Sequence, residues 1–219
     1  MMAVNYYSRA RAIFNLLPLL NAASHMGELS RVMSVLAAGS EAQINLDDLD
    51  LKHNYTLHAA LAHCVVMTDF ILMEFQARNP RIAFFHSYPG CVKSGIIKEL
   101  SGPVRLAVKL FYSVVTPWIL TVKETGERLL FAMTSAVYPS AEDDHGVPLV
   151  DELEISVGAD GRTGSGVYLL DWDGHFSGDE KQLGKFMEMD LGRTIWEHTM
   201  FIFKRARHES YDPIRDVYR

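Results

Sequence analysis

The fold is decided by three consecutive stretches: SRVMSVLAA at residues 30–38, YTLHAALAHCVVMTDFILMEFQARN at 55–79, and IAFFHSY at 82–88. The first and third are short and apolar, which is typical of buried parallel strands. The second carries apolar residues at helical spacing and ends at Asn79-Pro80, which favours a long helix. Because parallel strands need a long crossover between them, this order predicts an α/β fold with a parallel sheet.

The flanking sequence predicts further elements around this unit. A helix is expected before the first strand, with Pro18 bending or stopping it near its end. Residues 95–122 are interpreted as a helical lid, a pair of short helices packed over a pocket. This first helix is expected over 6–22, and the other predicted elements are a helix over 123–135, a strand over 166–171 and a closing helix over 179–205. Residues 1–205 are therefore expected to form one domain, followed by a charged tail over 206–219.

The composition restricts the function classes. The chain has 219 residues, 48% hydrophobic and 22% charged, with a net charge of −6. An acidic chain is a poor electrostatic match for a phosphate backbone, so no nucleic-acid partner is expected. Cys64 and Cys91 lie in apolar surroundings, which predicts free thiols in a reducing compartment and a cytoplasmic location.

No targeting or membrane-spanning segment is predicted. The first ten residues contain Asn5, Ser8 and Arg9 and lack the apolar core of a signal peptide. The uncharged run over 110–122 is shorter than the ~20 residues that a transmembrane helix needs. The apolar insertion is therefore expected to cover a pocket or meet an oily substrate.

Several motifs follow one another in a recognisable order: Asn5 with NLLPLL at 15–20, RVMSVLAA at 31–38, Tyr55 at the start of a long helix, and HSYPGCVKSG at 86–95. In this order the chain resembles the short-chain dehydrogenases/reductases, and most closely their fungal members. The resemblance covers about residues 1–140 and is weaker over 165–205. It implies a Rossmann-like parallel sheet, here a partial one, flanked by helices.

The resemblance also draws attention to a missing motif. The family's fold begins with a strand, a Gly-rich turn and a helix, where the backbone approaches the pyrophosphate of a dinucleotide. No GxxxGxG occurs in this chain, and GRTGSG at 161–166 precedes a strand, so we interpret it as a hairpin turn. The chain is accordingly expected to be an N-terminally truncated form that binds no cofactor.

The catalytic residues that the resemblance implies are only partly present. The family uses an Asn, a Ser, a Tyr and a Lys, and Asn5 and Tyr55 match two of them. Ala59 stands where the Lys is expected, one turn after Tyr55, and Ala37 stands where the Ser is expected. Without the lysine, Tyr55 is expected to donate a hydrogen bond but to be a poor base.

Histidines are the side chains best able to replace a missing acid or base near neutral pH. His58 lies one helical turn from Tyr55 and is the favoured catalytic partner, with Asn5 as the third catalytic candidate. His86 precedes the turn at the end of a strand, where ligands bind in open α/β sheets. The predicted substrate-binding residues are His86, Tyr88, Ser94, Tyr112 and Trp118, although a structural role for the histidine and a core position for the aromatic residues remain open. No spacing typical of a metal site occurs.

Three functions remain open from the sequence. The first is a non-redox enzyme that isomerises or cyclises a small apolar secondary metabolite. The second is an NAD(P)-dependent oxidoreductase whose cofactor-binding half is supplied elsewhere, and the third is a non-catalytic binding protein. The resemblance also implies a homodimer through the helices over 6–22 and 55–79, which would cover an exposed sheet edge.

Overall fold

The computed structural model describes residues 1–93, 101–102, 106, 119–142, 146–149 and 153–209. The helices and strands lie in the order that the sequence predicts, after a π-helical turn over Ala3–Tyr7. The helices are α1 (Ser8–His25), α2 (Leu57–Arg78), α3 (Val122–Thr134), α4 (Glu180–Glu188) and α5 (Leu191–Glu209), and the strands are β1 (Arg31–Val35), β2 (Ala83–Ser87) and β3 (Val167–Leu170).

The three strands form one parallel sheet in the order β1-β2-β3. Arg31 pairs with Ala83 at the start of the first two strands, and Phe84 pairs with Val167 across the next two. This arrangement confirms the predicted α/β class and the partial Rossmann-like sheet with flanking helices. Within the described ranges, no strand pairs with β1 on the side away from β2.

Helix α2 is the central element of the core. The Thr56 hydroxyl accepts a hydrogen bond from the amide of Ala59 and caps the helix N-terminus. Most of the helix is buried, from Ala60 to Phe75. By length and composition α2 could cross a membrane, but two-thirds of its most apolar window is buried inside the protein, as expected of a core helix.

The alternation of side chains along the strands gives the sheet two packed faces. Phe84 and Leu169 point to the face covered by α1, α2, α4 and α5. Phe85 and Tyr168 point to the opposite face, where Ala132 of α3 and Tyr138 complete a smaller aromatic cluster. Side chains of β2 and β3 are buried on both faces of the sheet, which explains why residues 83–85 and 167–170 are apolar without polar alternation.

Two helix predictions were wrong in detail. Pro18 does not stop α1, which continues to His25 with this exposed proline inside the helix. The predicted closing helix is two helices, separated at Asp190, which has a φ of 53°. Asp tolerates this left-handed conformation better than most residues. The second helix extends to Glu209, four residues into the segment predicted as a tail.

Arg31 joins the sheet to the C-terminal end of α3. Its side chain is buried, and its guanidinium donates to the carbonyl oxygens of Ala132 at 2.7 Å and Ser135 at 2.8 Å. Carbonyls at a helix C-terminus have no partner within the helix, so this arginine satisfies groups that would otherwise be buried unpaired.

We expect the substitution Arg31→Met to lower the free energy of unfolding by about 2 to 4 kcal/mol, because it leaves buried carbonyls without a donor. Urea denaturation followed by circular dichroism measures the change. Arg193→Met is the matched control, since Arg193 is exposed and pairs with Asp190 at the surface, and it should cost less than about 1 kcal/mol. Equal effects of the two substitutions would contradict the role assigned to Arg31.

Candidate functional site

The loops that follow the three strands meet at one edge of the sheet. These are the long loop from Leu36 to Thr56, the turn from Tyr88 to Lys93, and the segment from Asp171 to Asp179. In open α/β sheets, ligands bind at the carboxyl ends of the strands. Side chains on these loops are therefore the candidates for function.

Asn5 lies in the π-helical turn that precedes α1. Such turns are rare and occur often at functional sites. The next two residues fix this turn to α5, because the Tyr6 hydroxyl lies 2.6 Å from the Thr199 hydroxyl and the Tyr7 hydroxyl lies 2.7 Å from Nε2 of His198. Burial raises the pKa of Tyr7 and lowers the pKa of His198, so both groups are held in their neutral forms.

Tyr55 and His58 both lie at the surface. Tyr55 precedes α2 by two residues instead of opening it, and 53% of its surface is exposed. In the described part of the chain, neither side chain makes a hydrogen bond, and Ala59 occupies the position where a lysine was expected. The structure leaves the predicted pair of Tyr55 and His58 accessible to a ligand or another surface.

Asp48 holds the loop that leads to Tyr55. Its carboxylate accepts hydrogen bonds from the backbone amides of Lys52, His53 and Asn54, at 2.8 to 3.0 Å, and from the side chain of Asn54. Burial alone would raise the pKa of Asp48, but these donors outweigh that effect and hold the pKa at about 2. The carboxylate therefore fixes the backbone immediately before Tyr55.

His86 is completely buried and does not line an open cleft. Its Nδ1 lies 2.6 Å from Oδ1 of Asp69, a buried residue on α2. Burial raises the pKa of Asp69 to about 6; His86 opposes the increase, and the nearby negative charge of Glu41 adds to it. Within the described residues, Nε2 of His86 and Oδ2 of Asp69 have no hydrogen-bond partner. The predicted substrate role of His86 has no direct contact to support it here.

An open cleft of about 470 Å³ lies beside the ends of β2 and β3. Its lining residues are Tyr88, Gly90, Cys91, Ile119, Leu120, Glu124, Arg128 and Trp172. The Arg128 guanidinium lies over the Trp172 ring, 4.8 Å from its centroid, and donates to the Glu124 carboxylate at 2.9 Å. The cleft is thus mainly apolar, with one arginine whose charge is already compensated.

Three of the predicted substrate-binding residues, Ser94, Tyr112 and Trp118, lie outside the described residues, as does most of the predicted lid over 95–122. Tyr88 is the predicted substrate-binding residue that lines the cleft. Among the described side chains, no group of three His, Cys, Asp or Glu residues is arranged to hold a metal ion.

The described residues do not fit the pyrophosphate of a dinucleotide. Such a cradle needs glycines beside which the ligand can approach the backbone. At the strand ends, the space beside the glycines is filled by other parts of the protein. A Cβ at Gly39 would lie 2.6 Å from the carbonyl oxygen of Ser177, and one at Gly90 would lie 2.8 Å from Cβ of Trp172. The glycines over 161–166 belong to a turn bridged by Val157 and Thr163, which confirms the hairpin interpretation.

Comparison with known proteins identifies fungal relatives. The chain is 39% identical over 210 residues to oxidoreductase AN1596 of Emericella nidulans, covering 94% of this chain and 62% of that protein. It is 28% identical over 208 residues to the NmrA-like family domain-containing oxidoreductase notO of an Aspergillus species, covering 94% and 57%. It is 23% identical over 200 residues to the short-chain dehydrogenase/reductase SAT2 of Stachybotrys chartarum, covering 89% and 55%.

These relatives support a fungal oxidoreductase family of the NmrA-like and short-chain dehydrogenase type. No protein-family model matches the chain. No solved structure matches it either. The chain spans between 55% and 62% of the length of the three relatives.

The sequence analysis missed several residues of the site. Asp69 gave a usable signal, because one acidic residue inside a long apolar helix requires a buried partner. Trp172 gave a weaker one, since it follows the strand GVYLLD directly and so lies at the carboxyl edge. Arg128 gave none, because charges near the start of a predicted helix are usually solvated.

We expect Asp48→Asn to loosen the loop before Tyr55, since the amide lacks the charge that strengthens these hydrogen bonds. Amide hydrogen exchange at Lys52, His53 and Asn54 should become about tenfold faster or more. The wild type should show the same loosening as the pH falls from about 4 to about 2, because a carboxylate with a depressed pKa stabilises the fold only while ionised.

Asp47→Asn is the matched control, because Asp47 lies in the same turn but is exposed. It should leave exchange at these three amides unchanged. Unchanged protection in Asp48→Asn would show that the loop is held by other contacts.

Proposed function

We propose that this chain carries the substrate-binding part of an NAD(P)-dependent oxidoreductase, with the dinucleotide held largely by residues other than those described. The observation that carries the proposal is the apolar cleft between Tyr88 and Trp172, at the carboxyl ends of β2 and β3. The fungal relatives, which are named as oxidoreductases, support the same class of reaction.

The residues of this chain would bind and orient a neutral, mainly apolar substrate. Leu120, Ile119 and the Trp172 ring offer flat apolar walls. Arg128 stacks on Trp172 and is itself paired with Glu124, so the ligand does not need a carboxylate to neutralise it. The dinucleotide would supply the redox chemistry, and the protein would position the substrate and exclude water.

Tyr55 is the proposed proton donor, and His58 and Asn5 are the other proposed catalytic residues. Tyr55 is accessible and held by the Asp48 loop, and Asn5 lies in the anchored π-helical turn. A phenol in such a position can donate a proton to a carbonyl oxygen.

The second candidate is a cofactor-independent isomerase or cyclase acting on an apolar secondary metabolite. Ala59 favours it, because no lysine lies one turn after Tyr55 to assist redox chemistry. Under this alternative the same cleft would hold the substrate, and a hydrogen-bond donor would promote the rearrangement.

A small hydride donor tests the oxidoreductase without needing a pyrophosphate cradle. We expect the purified chain to accelerate the reduction of methyl naphthyl ketone by N-benzyl dihydronicotinamide by about tenfold or more, through orientation in the cleft. In this reaction hydride passes to the carbonyl carbon and a proton to its oxygen. Chromatography of the alcohol, with a protein-free reaction alongside, measures the rate.

Cys91→Phe should remove this acceleration, because Cys91 lines the cleft and the larger ring fills it. Met187→Phe introduces the same ring on α4, away from the cleft, and should change nothing. Binding of the ketone without acceleration would leave only a binding protein, and turnover of pathway compounds without any reductant would favour the isomerase.

Tyr55→Phe should return the rate to near that of the protein-free reaction while ketone binding is unchanged, because it removes only the proton donor. His58→Gln, measured in parallel, shows whether the histidine contributes. An unchanged rate in Tyr55→Phe would remove Tyr55 from the mechanism.

A further inference from the structure

A second, smaller cavity adjoins the cleft, and we call it the inner cavity. It measures about 20 Å³ and shares Tyr88, Arg128 and Trp172 with the larger cleft. A cavity of roughly 10 to 15 Å³ is enough to hold one water molecule. The inner cavity is therefore about the size needed for one water molecule or one ligand oxygen.

The wall of this inner cavity contains a buried hydroxyl without a partner. Thr125 lies in the first turn of α3 and is 8% exposed. Its backbone amide donates to Thr121, but within the described residues its Oγ1 has no hydrogen-bond partner. A buried hydroxyl left unpaired is costly, so an oxygen in the cavity would satisfy it.

Asp171 and Arg128, two charged side chains near Thr125, already have hydrogen-bond partners. Oδ1 of Asp171 accepts from the amide of Trp172 at 2.7 Å. Arg128 is held between Glu124 and the Trp172 ring. Thr125 carries the buried side-chain oxygen of this wall that has no hydrogen-bond partner among the described residues, so it is the group with which a ligand oxygen would pair.

We propose that the inner cavity is a subsite for one hydroxyl or carbonyl oxygen on a flat, neutral, aromatic or polycyclic substrate. The ring lies in the outer cleft against Trp172, and the oxygen at its edge exchanges a hydrogen bond with Thr125. This inference rests on the proposed function, since it uses the same cleft. The proposed substrate is therefore a ring system with a hydroxyl or carbonyl oxygen at one edge.

Three probes test the subsite by quenching of tryptophan fluorescence: β-naphthol, naphthalene and methoxynaphthalene. The wild type should bind β-naphthol about five- to tenfold more tightly than naphthalene, the ratio expected of one hydrogen bond. Methoxynaphthalene should lose that advantage, because its methyl group does not fit beside the oxygen. This comparison needs no variant.

Thr125→Val keeps the shape and removes the hydroxyl, so it should abolish the preference for β-naphthol. Thr125→Ser keeps the hydroxyl and should retain the preference. Thr125→Val should also raise the melting temperature of the unliganded protein, since an unpaired buried hydroxyl is lost. A wild type without preference, or a Val variant that keeps it, would overturn the subsite.

The same titration separates this inference from the proposed function. If the probes bind, Cys91→Phe blocks them and Thr125 makes no difference, then the cleft remains and the oxygen subsite is wrong. If no probe binds in a manner that Cys91→Phe blocks, then the cleft itself is not a binding site, and both proposals fail.

Discussion

The arrangement of the whole carboxyl edge depends on the buried contact between Asp69 and His86. Both side chains are removed from water, and the 2.6 Å hydrogen bond between them fixes α2 to β2 near the end of the strand. An unpaired buried carboxyl would be strongly unfavourable, so the helix cannot slide along the sheet without breaking this pair. The loop before Tyr55 and the turn after Ser87 then leave the core at defined places.

Glu41 links the loop after β1 to the segment that follows β3. Its carboxylate accepts from the backbone amides of Gly39 and Asp179, so it joins the loop after β1 to the start of α4. The close approach at Gly39, where a Cβ would meet the carbonyl of Ser177, lies at the same junction. The loop after β1 is consequently tied to the segment after β3 by the Glu41 side chain and by the close approach at Gly39.

The elements built from local pattern could be predicted, and those built from tertiary contact could not. Helix α2 and its flanking strands follow from apolar spacing and from Asn79-Pro80. The break at Asp190 could not be predicted, because the left-handed residue depends on how α4 and α5 pack. In the site, Tyr88 was predicted as a substrate-binding residue at the end of the strand over 82–88, and it lines the cleft. The orientation of His86 towards α2 depends on the face of the sheet on which Asp69 lies, which no motif spacing encodes.

Gly90 explains why the cleft has one shape. Its φ is 77°, a conformation that favours glycine, and a Cβ there would come within 2.8 Å of Trp172 and 2.9 Å of Leu120. The turn after β2 is thus in direct contact with the segment after β3, and the two walls of the cleft are parts of one packed unit. An arginine already paired with Glu124 completes that unit. A cleft built in this way would select ligands mainly by shape, because its walls are packed together and Arg128 is already paired with Glu124.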